Sequence, residues 1–234
     1  MDVLWFGLPR RGTDPDETMG RFGAGSIFIA IDRRDYWQCG YVIAKGSFDA
    51  IRARGLPAFQ QGVAAMFPEV TDRVGQLDDW DKIKLLTVRV NRLKRWYRPG
   101  LLCIGDAAHA MSPVGGVGIN LAVQDAVAAS NILAAKLAER RLAEDDLARV
   151  QKRREFPVRM TQAFQVLVQN RMLAPMLGRA IGKPPLAMRL LECYPALRRF
   201  PARWLGLGVR PEHIRTAPRW PEKEPPVQGA ATRG

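Results

Sequence analysis

Asp106 follows directly on an apolar run, Leu101-Leu-Cys-Ile104, that is bounded by Pro99-Gly100 on one side and Gly105 on the other. An apolar run this short between turn signals predicts a strand buried on both faces. The carboxyl end of such a strand is where open α/β sheets place ligand-contacting groups. Ser112-Pro113 then opens a turn, and Gly115, Gly116 and Gly118 follow it, dense enough for backbone amides to approach a ligand closely. From about Asn120 the chain is alanine-rich and apolar almost all round, through Ala126, Val127, Ile132, Leu133 and Leu137, which predicts a buried helix. The amino terminus of a helix carries unpaired N–H groups and roughly half a positive charge, so it attracts anionic or electron-rich groups. Amides of Gly118, Ile119 and Asn120 are placed to face a developing negative charge, and Asp106 to accept hydrogen bonds from a polyol. Together they suit a ligand with a hydroxylated chain at one end and a charge-accepting ring at the other. The alternative is a strand, turn and helix packed for stability alone, with Asp106 capping the turn and Asn120 the helix.

Other chemistry finds little support. There is no Ser/His/Asp or Cys/His constellation and no metal-ligand spacing, so no metal site is expected and no catalytic acid or base can be assigned. Of the two histidines, His109 and His213, the first is an acid or base by residue type but reads better as a loop residue held by packing and one backbone hydrogen bond. Cys39, Cys103 and Cys193 are odd in number and widely spaced, which points to a reducing, cytoplasmic compartment and away from a disulfide framework.

The stretch GDAAHAMSPVGGVGIN, followed by Gln124-Asp125-Ala126, resembles the second FAD fingerprint of class A flavoprotein monooxygenases, those with the para-hydroxybenzoate hydroxylase fold. The match spans some forty residues. The resemblance implies FAD as cofactor, with Gly105, Asp106, Pro113, Gly115, Gly118, Ile119 and Asn120 contacting it. Asp106 would hold the ribityl chain, Pro113 would lie beside the isoalloxazine ring, and the amides of Gly118, Ile119 and Asn120 would point at the ring's pyrimidine edge. It further implies NAD(P)H as co-substrate and transfer of one oxygen atom from O2 to a small organic, aromatic-type molecule. A flavin reductase or halogenase on the same fold is the near alternative. A non-catalytic remnant or subunit without flavin of its own is an alternative of a different class.

The same family builds its adenine-side site on an N-terminal βαβ unit with Gly-x-Gly-x-x-Gly. The nearest match here, Gly20-Arg-Phe-Gly23-Ala-Gly25, has the wrong order and no helix-forming segment after it, and reads as a loop between strands. The chain is therefore expected to be the C-terminal portion of a larger flavoprotein, completed by a missing N-terminal half or by a homo-oligomer.

Composition sets outer bounds. The 234 residues are 47% hydrophobic, enough for one or two cores. The start, MDVLWFGLPRR, lacks the order of a signal peptide, and no run of roughly 18 uninterrupted apolar residues suggests a transmembrane segment. The net charge is +13, with 17 basic and 14 acidic residues in 1–138 against 19 and 9 in 139–234. The basic residues are scattered and form no block, so solvation or an acidic partner surface is expected and nucleic-acid binding is not. A nucleic-acid or anionic-membrane binder stays as the third alternative.

The elements that must carry the loop follow from periodicity. The fold class is α+β, a truncated α/β FAD-binding fold with an antiparallel or mixed sheet, then strand, glycine loop and buried helix, then C-terminal helices. Three regions are expected: 1–97, a substrate-side sheet with short helices; 98–175, the FAD-contacting strand, loop, helix and a further long helix; and 176–234, a helical extension with a disordered tail. Strands are predicted over 2–9, over a hairpin of residues 26–31 and Tyr36–Ala44 joined by the polar turn Asp32-Arg33-Arg34-Asp35, with Ile27, Ile29 and Ile31 opposite Phe28 and Ala30, and over 81–90. Residues 13–23 read as loop. Short helices are predicted at 48–54 and 57–67. A long helix is predicted over Asp145 to about Met172, with a stripe of Leu147, Val150, Phe164, Leu167, Val168 and Met172 and, because of Pro157, a kink near Glu155–Phe156. Trp37, Tyr41 and Arg89 are weak pocket candidates, each better read as packing or surface.

Overall fold

The structure, a computed structural model, describes residues 1–23, 25–178, 199, 203 and 206–215. The first half is an antiparallel sheet of five strands in the order β2-β3-β4-β1-β5, formed by β1 (Asp2–Pro9), β2 (Met19–Gly23), β3 (Ser26–Asp32), β4 (Tyr36–Ile43) and β5 (Lys84–Thr87). The predicted hairpin forms with Phe28 opposite Tyr41 and Ala30 opposite Cys39. Alternation along the strands sorts side chains between two cores. Phe6, Phe28, Ala30, Trp37 and Cys39 face Phe59, Val63 and Phe67, which belong to α2 (Leu56–Met66) and its end, next to α1 (Phe48–Ala53). Val3, Ile27, Ile29 and Val42 pack on the opposite side. The first core is aromatic, with Phe6–Phe59 at 5.6 Å, Phe28–Phe67 at 5.4 Å and Trp37–Phe67 at 5.3 Å between ring centroids. Trp37 is a core residue whose Nε1 donates to Asp14 at 2.9 Å; Tyr41 is half-buried and Arg89 exposed. Cys39 is buried and its thiol is pushed up to about 12 by that burial, so it is chemically quiet.

Two strand readings are corrected. Met19–Gly23 is not loop but the edge strand β2, with Phe22 opposite Ile27; an edge position tolerates its glycines and arginine because only one side of it pairs. The strand expected over 81–90 is only Lys84–Thr87. Trp80–Lys82 is instead a 3-10 turn capped by Asp79. At the other end the amide of Val88 leaves the ladder for the buried Asp2 carboxylate at 3.2 Å.

The second half holds a two-stranded ribbon, β6 (Tyr97–Arg98) with β7 (Leu101–Leu102), then α3 (Gly118–Ala138), α4 (Glu144–Val168), a π-helical turn at Gln169–Leu173 and α5 (Ala174–Gly178). The strand expected to be buried on both faces is only two residues long, pairs on one side among the described residues, and leaves Leu101 53% exposed. The fully buried helix expected after the loop is half-exposed, with Leu121, Ala128 and Leu133 inside and Ile119, Val123 and Leu137 outside. By length and composition Val114–Ala138 is apolar enough to cross a membrane, with a mean hydropathy of 1.3. Its buried Asp125, bonded to α4 through Arg154, marks it as a helix packed against protein.

The face that α4 buries departs from the expected apolar stripe. Leu147 and Val150 are buried as expected, but Leu167 is 56% exposed. The buried face further along runs through Gln151, Arg154, Pro157, Val158, Thr161, Gln162 and Gln165. This face is polar because it meets irregular backbone whose N–H and C=O groups need partners. Gln151 accepts from Trp96 N at 2.9 Å and donates to Lys94 O at 3.0 Å. Gln162 donates to Asn91 O at 2.7 Å and Ala110 O at 3.0 Å. Gln165 accepts from Ser112 N at 3.2 Å and donates to Ser112 O at 2.7 Å and Val114 O at 3.0 Å. The helix continues through Pro157 without a break. Most of the region expected as a C-terminal extension, and the side chain of Met172, lie outside the described residues.

Gln162→Leu keeps most of the volume but strips two carbonyls of their donor, so it is expected to cost about 2–3 kcal/mol in urea denaturation. A surface change such as Ala163→Ser should cost under about 0.5 kcal/mol.

Candidate functional site

The turn Gly105–Ala107 follows β7 and presents Asp106, whose side chain is exposed. Gly105 itself is buried, and its φ of +57° is one that glycine adopts freely. A Cβ there would lie 3.0 Å from the Cβ of Ala122 on α3, so the absent side chain is what lets the turn sit on the helix. Its amide donates to Asp125 at 3.1 Å. The loop then runs past Pro113, which is exposed at φ −66°, to Gly115 and Gly116 at φ +79° and +63°. A Cβ on Gly116 would meet nothing within 4 Å, so its surroundings are open.

Helix α3 starts at Gly118, two residues before the expected Asn120, with Val117 as its N-cap and no acidic residue in its first turn. The amides of Gly118, Ile119 and Asn120 have no acceptor within the helix, as helix geometry dictates, and their positive end is uncompensated by local acid. Ile119 is 71% exposed. The Asn120 side chain neither caps the helix nor stands free. Its Nδ2 donates to Gly206 O at 3.3 Å, and Gln124 Nε2 donates to Leu207 O at 2.9 Å, so segment 206–215 lies along this side of α3. Of the seven residues read from the sequence, the structure leaves Asp106, Pro113, Gly115 and Ile119 exposed, Gly118 and Asn120 half-buried and Gly105 buried.

The network that holds this arrangement joins Asp125 and His109, both within the fingerprint stretch, to Arg154, which the sequence did not single out. Asp125, fully buried, accepts from Gly105 N, from His109 at 2.6 Å and from Arg154 Nε at 2.9 Å. Burial alone would raise its carboxyl pKa, but the bonds from His109, Arg154 and Gly105 outweigh that and hold it below the usual carboxylate range. An ionised acceptor at 2.6 Å requires the proton on His109 Nε2. His109 is buried against Trp96, 5.0 Å between ring centroids, and its own amide donates to Gly105 O at 2.9 Å. It is thus a packed loop residue as read, but its side chain is tied to a carboxylate in addition to its backbone bond. Arg154 reaches on to Arg210 O at 3.4 Å and to Glu212 at 3.6 Å. The sequence signal for this network was Asp125 itself, an acid on an otherwise apolar stretch of helix. Among the described residues no group of three or more His, Cys, Asp or Glu is placed to hold a metal ion.

An exposed carboxylate on a turn seated against the first turns of a helix whose positive end is open offers acceptors for hydroxyls and a favourable field for an electron-rich group. Comparison with known proteins gives that chemistry a family. A model of the family described as FAD binding domain matches residues 14–163. The chain is 35% identical over 198 residues to 6-methylpretetramide 4-monooxygenase of Streptomyces rimosus, covering 84% of this chain and 47% of that protein. It is 32% identical over 82 residues to the FAD-dependent monooxygenase ltmM of Epichloe festucae (strain Fl1), covering 34% and 17%. Its fold is similar to that of PqsL, a probable FAD-dependent monooxygenase from Pseudomonas aeruginosa, with a TM-score of 0.59 at 17% identity over 76% of this chain and 50% of that one. It is equally similar to the tetrameric form of 2-methyl-3-hydroxypyridine-5-carboxylic acid oxygenase, with a TM-score of 0.59 at 20% identity over 75% and 50%. The chain belongs to the FAD-binding-domain family of class A flavoprotein monooxygenases, and FAD is that family's cofactor. It spans half or less of the length of these relatives.

Because the folded-state pKa of Asp125 lies below its unfolded value, its bonds contribute fully above about pH 4. They are lost as pH falls through the folded value. Asp125→Asn should lower stability at neutral pH and flatten the acid limb of the urea midpoint against pH. Arg154→Met, which strands a buried carboxylate, should cost about 3–5 kcal/mol by the same measurement.

Proposed function

We propose that this chain carries the ribityl-and-ring side of the flavin site in an FAD-dependent monooxygenase that uses NAD(P)H and O2 to hydroxylate a small organic, aromatic-type molecule. The observation that carries the reading is the seating of Gly105-Asp106 on α3, where the Gly105 amide is bonded to Asp125, in a chain that the FAD-binding family matches over most of its described length. Asp106 would accept hydrogen bonds from the ribityl hydroxyls. The amides of Gly118, Ile119 and Asn120 would face the pyrimidine edge of the ring, where the helix field favours negative charge. Gly115 and Gly116 would let the backbone pass close to the ring, and Pro113 would hold the loop beside it. When bound, the flavin supplies hydride acceptance and oxygen activation. This chain's own residues bind it, orient it and bias its charge. The substrates in the names of two similar proteins, 6-methylpretetramide and 2-methyl-3-hydroxypyridine-5-carboxylic acid, belong to those proteins; the aromatic class is the part we carry over.

The chain has no Gly-x-Gly-x-x-Gly loop, so the diphosphate and adenosine of FAD find no phosphate-cradling site of that kind within it. Fluorescence titration with riboflavin, FMN and FAD tests the reading directly. All three should bind with similar affinity, because the shared ribityl-and-ring half makes the contacts. Asp106→Ala should weaken each by about tenfold or more, the loss of hydrogen bonds to a charged acceptor. Unchanged affinity in that variant removes Asp106 from the site, and flavin-dependent consumption of NAD(P)H and O2 by the protein would establish the activity.

A further inference from the structure

Two open clefts, of about 740 and 600 Å³, run end to end along the outer flank of α4 and share Arg159 and Ala163. Phe156, Met160, Ala163 and Leu167 line them and are exposed, Phe156 at 43% with Arg210 stacked over its ring at 4.5 Å, Met160 at 42% and Leu167 at 56%. Their spacing is four, three and four residues, the interval that keeps a stripe turned toward a second helix in knobs-into-holes packing. An apolar seam on a solvent face is the reverse of ordinary patterning. Here it stands opposite a polar face that is already bonded to the loops, so it is a second interacting face of the same helix.

The rims of the seam are basic. Lys152, Arg159 and Arg171 stand on the helix side, and Arg92 and Lys94 on the segment that faces it. Glu155 is the one acid among the residues lining either cleft. Arg95 is paired with Glu144 at 3.1 Å and Arg92 donates to Gln162 at 2.8 Å. Lys152, Arg159 and Arg171 have no ionic partner among the described residues. The flank therefore presents uncompensated positive charge on both sides of an apolar floor, in the region that carries most of the net charge of +13.

We propose that this flank of α4 is the docking surface for an acidic amphipathic helix of a partner protein. From Phe156 to Leu167 the apolar seam is roughly 17 Å long at about 1.5 Å per residue, the reach of a helix of about three turns laid into a groove. Acidic side chains flanking the partner's apolar stripe would meet the basic rims, and that complementarity would speed encounter as well as select the partner. A second copy of this chain is disfavoured, because two such seams would set Lys152 and Arg159 against like charges. Duplex nucleic acid offers phosphates to the rims but no apolar ridge for Phe156, Met160 and Leu167.

The test is fluorescence polarisation with a labelled synthetic helix of roughly 20 residues, with leucines at four-three spacing and glutamates on both flanks. Saturable binding is expected. It should weaken at least about tenfold when the same residues are permuted so that the leucines no longer form a stripe. It should weaken as much in Lys152→Glu/Arg159→Glu, and in Met160→Glu, both at exposed positions, with far-ultraviolet circular dichroism showing that each variant keeps its helix content. Absence of binding up to about 100 μM, equal binding of the permuted peptide, or indifference to the rim and seam variants would overturn the proposal. So would tighter, variant-sensitive retention on phosphatidylcholine/phosphatidylserine vesicles or on duplex DNA.

Discussion

One buried carboxylate holds the second half of this molecule together. Asp125 collects the amide of Gly105, the ring of His109 and the guanidinium of Arg154 on two oxygens, and so joins the Gly-Asp turn, the loop after it and the second long helix at one point. A charge removed from water is tolerable only when it is paired and its lone pairs are filled, and here three donors meet that demand. The same requirement fixes geometry. The carboxylate cannot release any of its three partners cheaply, so the turn that presents Asp106 has one position on α3. The placement of Asp106 follows from a constraint that its own side chain does not touch.

The polar inner face of α4 extends this logic along the whole loop region. Residues 91–96 and 108–114 are irregular backbone, and few of their amides and carbonyls are paired within regular structure. Some pair with each other, Leu93 N with Ala108 O at 2.8 Å and Asn91 N with Ala110 O at 3.3 Å. Gln151, Gln162 and Gln165 meet others. A glutamine offers a donor and an acceptor at the end of one side chain, so a row of them on one helix face can serve a backbone that runs past it out of register. Satisfied networks of this kind rigidify, whereas a single missing member leaves a buried group unpaired. That is why the site loop, glycine-rich and intrinsically mobile in composition, is held in one shape.

Such an arrangement leaves α4 free to carry its apolar residues outward. In most surface helices the hydrophobic stripe faces the core and the charges face water. Here the inward side is occupied by hydrogen bonding beyond Val158, and Phe156, Met160 and Leu167 lie on the flank. The helix thereby has two working faces, one that builds the site and one that is open to solvent. The C-terminal segment uses part of the surface as well, where Arg210 stacks over Phe156 at 4.5 Å and Glu212 meets Arg153.

The sequence by itself determined the hairpin, the two sheet faces, the helices of the first half and the glycine loop between strand and helix. Each depends on signals written within a few residues, such as two-residue alternation at Ile27–Ile31 or a proline before Phe59. It also carried the family, because the Gly-Asp and Pro-x-Gly-x-x-Gly-x-Asn spacing is local. Only the tertiary structure decided that Met19–Gly23 pairs as an edge strand, that α3 is half-exposed, and which face of α4 is buried. Hydrophobic periodicity reports what side chains gain by leaving water, and it says nothing of distant backbone groups in need of partners. Gln165 is paired with a loop more than fifty residues away, and Asp125 with an arginine on another helix. Read one residue at a time, a buried glutamine or aspartate is indistinguishable from a solvated one; the fold alone brings it to the donors and acceptors that make its burial favourable.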